Sequence, residues 1–397
     1  MPVPGASFGD NGGMTSASYS SAVTEPFEGL RIRGVAKTFG TDTTVLNEID
    51  LDVHPGELIS LVGSSGTGKS TLLRIIAGLE EPSAGRVTYA GQPLERGSVG
   101  VVFQRPILYP HLSVKDNILF PTRLGAFAGR VDMDYYRELL EALKLEGLES
   151  RKPSQLSGGQ VQRVGIARAL IRRAPVVLFD EPLASVDEQM SASIRADIVR
   201  LHERYGFTGL YVTHDQNEAL MLGQRVAVMD AGYLVQVDTP ERLLAHPHTL
   251  QVAKLMAAPA LNLLALEDSE SLPVGCELAI RATALCPVTA DTAHALPVQV
   301  LGSRHLVGGM LYRARLLEVV SLPLESRRAS ADSELSARMY ARVRAGQELE
   351  FFIPDAQGAT LSGTSPNSTF LSVGERVHLG VAAERCFLFS GGKRFYL

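Results

Sequence analysis

The apolar positions change rhythm along this chain. They alternate singly at first, then gather into short continuous runs separated by helical repeats, and return to short strands in the last third. Arg31 to Phe39 alternates in the manner of an edge strand and Val45 to Val53 reads as a second strand, with His54-Pro55-Gly56-Glu57 as the turn behind it. Leu58-Ile59-Ser60-Leu61-Val62 is a continuous apolar run, the pattern of a strand buried on both faces. Lys69 to Gly78 follows with Leu72, Leu73, Ile76 and Leu79 on one helical face and Gly78 near the end. Pro106, Pro110 and Pro121 interrupt an aromatic-rich stretch before an amphipathic helix from Asp134 to Leu145. Helices over Gln160 to Arg173 and 188–204 then alternate with strands at 176–180 and Gly209 to Thr213. Strands alternating with helices predict a parallel sheet covered on both faces. Beyond about Ala245 the runs Leu278–Arg281, Leu296–Leu301, Met310–Val320, Leu349–Ile353 and Arg376–Val381 predict a small all-β barrel or sandwich.

Composition narrows the class. At 397 residues the chain exceeds one ordinary domain. With 45% hydrophobic and 20% charged residues it has ample core material. A formal charge of −5 gives no reason to expect nucleic acid as a partner. The three cysteines, Cys276, Cys286 and Cys386, form no CxxC pair and read as buried or half-buried reduced thiols. The most apolar stretch, Leu250 to Leu266, contains Lys254, Pro259 and Asn262 and falls short of the ~20 clean residues of a membrane span. Residues 1–29, rich in Gly, Ser and Pro, lack the basic start and apolar run of a secretory signal and read as a mobile tail.

Candidate chemistry sits at three places. In Gly63-Ser64-Ser65-Gly66-Thr67-Gly68-Lys69-Ser70, between a strand and a helix, glycines let successive N–H groups curl toward phosphate oxygens. Lys69 supplies a cation to the β- and γ-phosphates, and the Ser70 hydroxyl is placed to ligate magnesium. Thr71, next along the helix, is counted with the nucleotide contacts. Asp180-Glu181 ends an apolar strand, where carboxylates face the ligand crevice of a parallel sheet. Asp180 suits the magnesium shell, and Glu181 suits a general base acting on water. The third place is Leu156-Ser157-Gly158-Gly159-Gln160, a second glycine motif ahead of a helix.

With that pentapeptide in place the chain resembles the ATP-binding-cassette (ABC) ATPases over roughly Leu30 to Leu244. The resemblance implies an α/β P-loop NTPase cassette (residues 30–245) with a helical subdomain at about 105–172, binding ATP and Mg2+. It sets Phe39 against the adenine ring and makes Gln104 the loop glutamine that senses magnesium and the attacking water. Asp187 lies in the loop that crosses the dimer interface, and His214 is the switch histidine at the γ-phosphate. It also implies that Ser157, Gly158, Gly159 and Gln160 close on ATP held by a second subunit, so that catalysis needs a head-to-tail homodimer. The chain departs from many importers in Ser64, Ser65 and Thr67, all small, and in Phe39 for the commoner tyrosine.

Within that family, Pro106 through Ile118 resembles importer ATPases of the sugar, polyamine and ferric-iron groups, in which this region receives a cytoplasmic helix of the membrane subunit. Asp238-Thr239-Pro240-Glu241 and Ala258 through Leu264 resemble the linker (246–264) into a C-terminal OB-like TOBE domain (265–397). Ile280-Arg281-Ala282-Thr283 matches that domain's Ile-Arg-Pro-Glu only in part, and Ser321 to Met339 reads as an inserted loop. Tyr109 leans toward the sugar group. The implied setting is the cytoplasmic face of the inner membrane, with permease subunits and, indirectly, a periplasmic solute-binding protein as partners. The alternative is a soluble ABC-type ATPase in a non-transport role.

Overall fold

The strand runs form as their patterns require. The computed structural model describes residues 27–95, 97–123, 131–267, 272, 275–324, 339–354, 371–381 and 385–395. Leu58–Val62 is buried at every position and is the third of six strands in a sheet. In order across that sheet come Tyr233–Asp238, Arg225–Asp230, Leu58–Val62, Thr208–Thr213, Val176–Asp180 and Gly100–Val102. Only the first pairing is antiparallel. The register sets Val62 opposite Thr213, Asp180 opposite Val212 and Val102 opposite Phe179. Five parallel strands therefore end at one edge, and the segments leaving them share that edge.

A second sheet of four strands, Thr43–Val53, Leu30–Phe39, Ala84–Tyr89 and Gln92–Pro93, is antiparallel. The core made with it by the helix Lys69–Ile76 includes Ile32, Ile49, Leu61, Leu72 and Val212, each fully buried. On the other face, the helices Val114–Leu119, Met133–Ala142, Gly158–Leu170 and Glu188–Tyr205 share a core with Phe179 and Tyr211. Burying one such side chain contributes roughly 1.5–3 kcal/mol, so each layer is strongly held.

The C-terminal region is all β. Leu261–Ala265, Glu277–Arg281, Cys386–Ser390 and Lys393–Phe395 form one sheet, and Cys286–Val288, Arg376–Gly380, Leu296–Leu306, Gly309–Leu316 and Glu348–Pro354 form another. Val320–Leu324 pairs with Met339–Val343. Leu278, Leu296, Leu316, Phe351 and Leu388 fill their common core.

Several sequence expectations change. Leu30–Phe39 is an inner strand, hydrogen-bonded on both sides, because Ala84–Tyr89 covers its second edge. Leu79 is 61% exposed, since the helix ends before it and Gly78 turns the chain with φ 68°. Met310 to Val320 is two strands. Leu250 to Leu266 divides into the helix Leu250–Leu255 and the strand Leu261–Ala265, which pairs with Glu277–Arg281 inside the span read as linker. Among the described residues, no helix is long and apolar enough to cross a membrane. Cys286 is exposed, whereas Cys276 is buried and Cys386 half-buried. Most of Ser321 to Met339 and nearly all of the N-terminal segment lie outside the described residues.

Candidate nucleotide-binding site

Gly63 leaves the buried strand Leu58–Val62, and its loop fits tightly against the sheet. A Cβ at Gly68 (φ 99°) would stand 2.7 Å from Leu46 Cδ2 and 2.8 Å from the Val45 carbonyl, so only glycine fits there. Thr67 Oγ1 donates to the Ser64 carbonyl at 2.9 Å and braces the curve. Lys69 is buried, and its Nζ donates to the carbonyls of Gly63 (2.7 Å) and Ser64 (3.0 Å). Burial pushes its pKa down, against the raising charges of Glu181 and Asp180. Ser64, Ser65 and Gly66 are exposed, and Ser70 and Thr71 are half-buried at the start of the helix.

The strand Val176–Asp180 brings its carboxylates to the same place. Ser70 Oγ donates to Asp180 Oδ1 at 3.3 Å, across 110 residues of sequence. Burial raises the Asp180 carboxyl above its ordinary range; the Ser70 hydrogen bond opposes this and the Glu181 charge adds to it. Glu181 turns out of the strand with φ 44°, a conformation that costs a non-glycine residue of order 1 kcal/mol. Its N–H is held by the Val212 carbonyl at 2.9 Å. Glu181 Oε2 lies 3.1 Å from His214 Nδ1, so the general-base candidate and the candidate switch histidine meet directly.

The shelf under His214 was missed from sequence. Buried Glu218 accepts from Thr213 Oγ1 (2.7 Å) and Tyr211 OH (3.2 Å). Asp215 Oδ1 accepts from the Glu218 N–H at 3.0 Å and caps the helix Gln216–Leu222. Burial raises the Glu218 carboxyl, partly countered by the Thr213 hydroxyl. The signal was a glutamate on the inner face of a short amphipathic helix.

The other candidates make no hydrogen bond or ion pair to this cluster among the described residues. Phe39 is 43% exposed at a strand end, as a stacking ring requires, with Lys37 Nζ 4.9 Å from its centroid. Gln104 is exposed beyond Gly100–Val102; Ser185 Oγ donates to its carbonyl at 3.4 Å, and among the described residues its side-chain amide makes no hydrogen bond. Asp187 is exposed and caps Glu188–Tyr205 by accepting from the Met190 N–H at 2.9 Å.

Ser157 and Gln160 form a reciprocal cap at the start of Gly158–Leu170: the Ser157 N–H donates to Gln160 Oε1 (2.9 Å) and the Gln160 N–H to Ser157 Oγ (3.4 Å). Ser157 and Gly158 are exposed, whereas Gly159 is buried against Met190. Among the described residues no hydrogen bond or ion pair joins Ser157–Gln160 to the loop at Gly63. A second feature missed from sequence fixes this helix: Arg163 bonds the Leu143 carbonyl (3.0 Å) and pairs with buried Asp197 (2.9 Å), locking it to both neighbouring helices.

A glycine-rich loop between a buried strand and a helix, with a buried lysine bonded to its carbonyls and carboxylates at the end of another strand of the same sheet, defines a P-loop nucleoside triphosphatase. Residues 46–184 match the family model described as ABC transporter. The sn-glycerol-3-phosphate import ATP-binding protein UgpC of Salmonella typhi is 37% identical, over 84% of this chain and 98% of that protein. UgpC 1 of Rhizobium johnstonii is 45% identical over 59% of this chain and 65% of its own length. The solved structure of cbiO1 from Clostridium perfringens, part of the ABC transporter complex cbiONQ, superposes with TM-score 0.50 at 27% identity, over 56% of this chain and 92% of that one. The chain belongs to the ATP-binding proteins of ABC transporters, and its C-terminal β region is additional to the cassette.

Proposed function

We propose that this chain is the ATP-hydrolysing subunit of a bacterial ABC importer for a sugar-like solute, working as a homodimer at the cytoplasmic face of the inner membrane. The observation that carries the reading is the pairing of a phosphate-loop edge with a second glycine motif that caps its own helix but makes no hydrogen bond or ion pair to that edge among the described residues. The loop N–H groups of Gly63 to Gly68, with Lys69, bind the phosphates and spread the charge that grows during transfer. Phe39 stacks on the adenine. Glu181 accepts a proton from the attacking water, while His214, within hydrogen-bond reach of Glu181, contacts the γ-phosphate and reports its presence. Ser157 to Gln160 of a partner subunit, with Asp187 beside the interface, complete the pocket and link ATP binding to dimer closure.

The donor set fits magnesium. Ser70 Oγ and Asp180 Oδ1 are hard oxygen ligands side by side, with Gln104 at the next strand end, and Mg2+ characteristically takes few protein ligands alongside phosphate and water. Bound there, the ion would neutralise phosphate charge.

Coupling to permease subunits is supported by a largely apolar groove of about 620 Å³ whose lining includes Phe103, Ile107, Tyr109, Phe120 and Pro121 together with Arg105, Arg168 and Arg172. Ile107 is 86% exposed, and Arg168 fixes its carbonyl at 2.8 Å. Such a groove suits an amphipathic helix. The relatives' names, which specify glycerol-3-phosphate import, favour a sugar-like solute, brought by an extracytoplasmic binding protein.

Expression in a bacterial host with affinity capture from solubilised membranes tests the reading. Integral membrane proteins should come down with the chain, and an Ile107→Glu substitution should release them without changing ATP binding. Capture of the chain alone, with full ATPase activity, would instead support a soluble ABC ATPase.

A further inference from the structure

A cavity of about 530 Å³ lies between the cassette and the C-terminal β region, and no P-loop residue lines it. The helix Gln216–Leu222 forms one wall with Gln216, Asn217 and Leu220, and the β region forms the opposite wall with Arg281, Thr283 and Arg385. Two polar groups of opposite character line it with buried atoms that have no hydrogen-bond partner among the described residues, although the Arg281 guanidinium also lies 5.2 Å from the centroid of the Phe387 ring. Arg281 Nη1 donates to the Leu244 carbonyl at 2.6 Å, while its Nε and Nη2 are buried and bond nothing among the described residues. Gln216 Oε1 is likewise buried with no donor. Neither Arg281 nor Arg385 has an ion-pair partner among the described residues, although Glu241 also lines the cavity. Burial pulls the Arg281 pKa down to about 10, with the like charges of Arg394 and Arg385 adding to the effect. A guanidinium gathered with other cations and left with two buried, unbonded N–H sites is costly without an anion.

We propose that this cavity binds a small hydroxylated organic anion, a phosphate monoester or hydroxycarboxylate, with its oxyanion on Arg281 and Arg385 and a hydroxyl donating to Gln216 Oε1. Guanidinium suits this task because its fixed fork of donors matches a carboxylate or phosphate edge. Leu220, Met256 and Ala284 supply apolar wall for the carbon skeleton. Gln216 is the first residue of the helix that Asp215 caps, so an occupant bonded to Gln216 lies two residues along the chain from His214, the proposed switch histidine. The site thus gives a cytoplasmic metabolite a route to the rate of ATP hydrolysis. Binding itself does not depend on which solute the importer carries.

Isothermal titration of the full-length chain tests this, with glycerol 3-phosphate, glycerate and uncharged glycerol as probes. At least one anion should bind saturably and glycerol should not; the better anion identifies the headgroup. Because the P-loop also attracts phosphate, the comparison includes Lys69→Ala. Binding should persist in Lys69→Ala and fall by at least about tenfold in Arg281→Gln. Arg385→Ala, at an exposed position that leaves the fold alone, should weaken it similarly and keeps the test open should Arg281→Gln fold poorly. No anion binding, equal binding of glycerol, or binding that disappears in Lys69→Ala but survives both arginine variants would overturn the proposal.

Discussion

The two glycine motifs of the cassette are built in opposite ways. The loop at Gly63 is enclosed: Gly68 is pressed against Leu46, Lys69 is buried, and Asp180, Glu181 and His214 converge on it from neighbouring strands. The motif at Ser157 is open: its side-chain bonds stay within its own first turn, and Gly158 has nothing within 4 Å of where a Cβ would stand. A glycine kept where packing does not demand one points to close approach by something outside the chain. On the proposed reading, the contrast separates the half of the pocket built within one subunit from the half that a partner supplies.

The largest effect that sharpens this contrast is expected at Lys69. Lys69→Ala should cost on the order of 10²–10³ in ATP turnover and weaken nucleotide binding in the isolated subunit, measured by phosphate release and by fluorescent-nucleotide titration. Gly158→Glu should leave nucleotide binding and melting temperature near those of the parent, since open space surrounds the position and an acid suits a helix N-terminus. Its turnover should still fall by about tenfold or more, because the new carboxylate would face the phosphates held by a partner. Mixing the two variants should restore part of the activity, since one site of each mixed dimer has both motifs intact. A mixture no more active than its components would break the division of labour drawn here.

A smaller effect is expected one residue further along. A Cβ at Gly159 would stand 1.7 Å from Met190 Sδ, so Gly159→Ala must displace Met190 or the helix that carries it. The cost should be about 1–3 kcal/mol by chemical denaturation, where Gly158→Glu costs almost nothing. Equal destabilisation by both substitutions would mean that Gly158 is also held by packing.

The two motifs also differ in what their sequence disclosed. The P-loop could be read because its pattern is local: a continuous apolar strand, a glycine turn and an amphipathic helix each bury or bond within a few residues. The meeting of Glu181 with His214 could be placed only through the family resemblance, because it rests on the register of Val176–Asp180 with Thr208–Thr213. Asp197 is illegible in the sequence because its partner Arg163 lies on another helix, and Glu218 because the turn that folds its helix back onto Tyr211 and Thr213 of the preceding strand is not marked by any motif. In the C-terminal region the strands were partly legible but their pairing was not. Leu261–Ala265, for example, joins Glu277–Arg281 antiparallel and was mistaken for linker.

Finally, two glutamates at opposite ends of the central sheet offer a way to separate stability from chemistry. Glu57 precedes the strand that leads into the P-loop and is clamped by Arg225 Nε (2.6 Å) and Nη2 (2.8 Å) and by the His54 N–H (2.8 Å). Burial pushes its pKa up, but the Arg225 hydrogen bond and the His54 N–H outweigh it, and the net shift is downward from 4.5. A carboxyl with a lower pKa in the folded state adds stability that is fully present above its unfolded pKa. That stability is lost as pH falls through the folded value. Melting temperature should therefore drop as pH is taken below about 4.5, and Glu57→Gln, which cannot be protonated there, should show a shallower drop. At neutral pH the same variant should melt lower by roughly 3 °C and keep most of its ATP turnover. Glu181→Gln should do the reverse, melting near the parent and binding ATP while turnover nearly stops. If Glu57→Gln silenced turnover as completely as Glu181→Gln, the P-loop would depend on the anchoring of its strand at the far edge of the sheet. The contrast between an enclosed motif held by its own subunit and an open one proposed to meet a partner would then have to be redrawn.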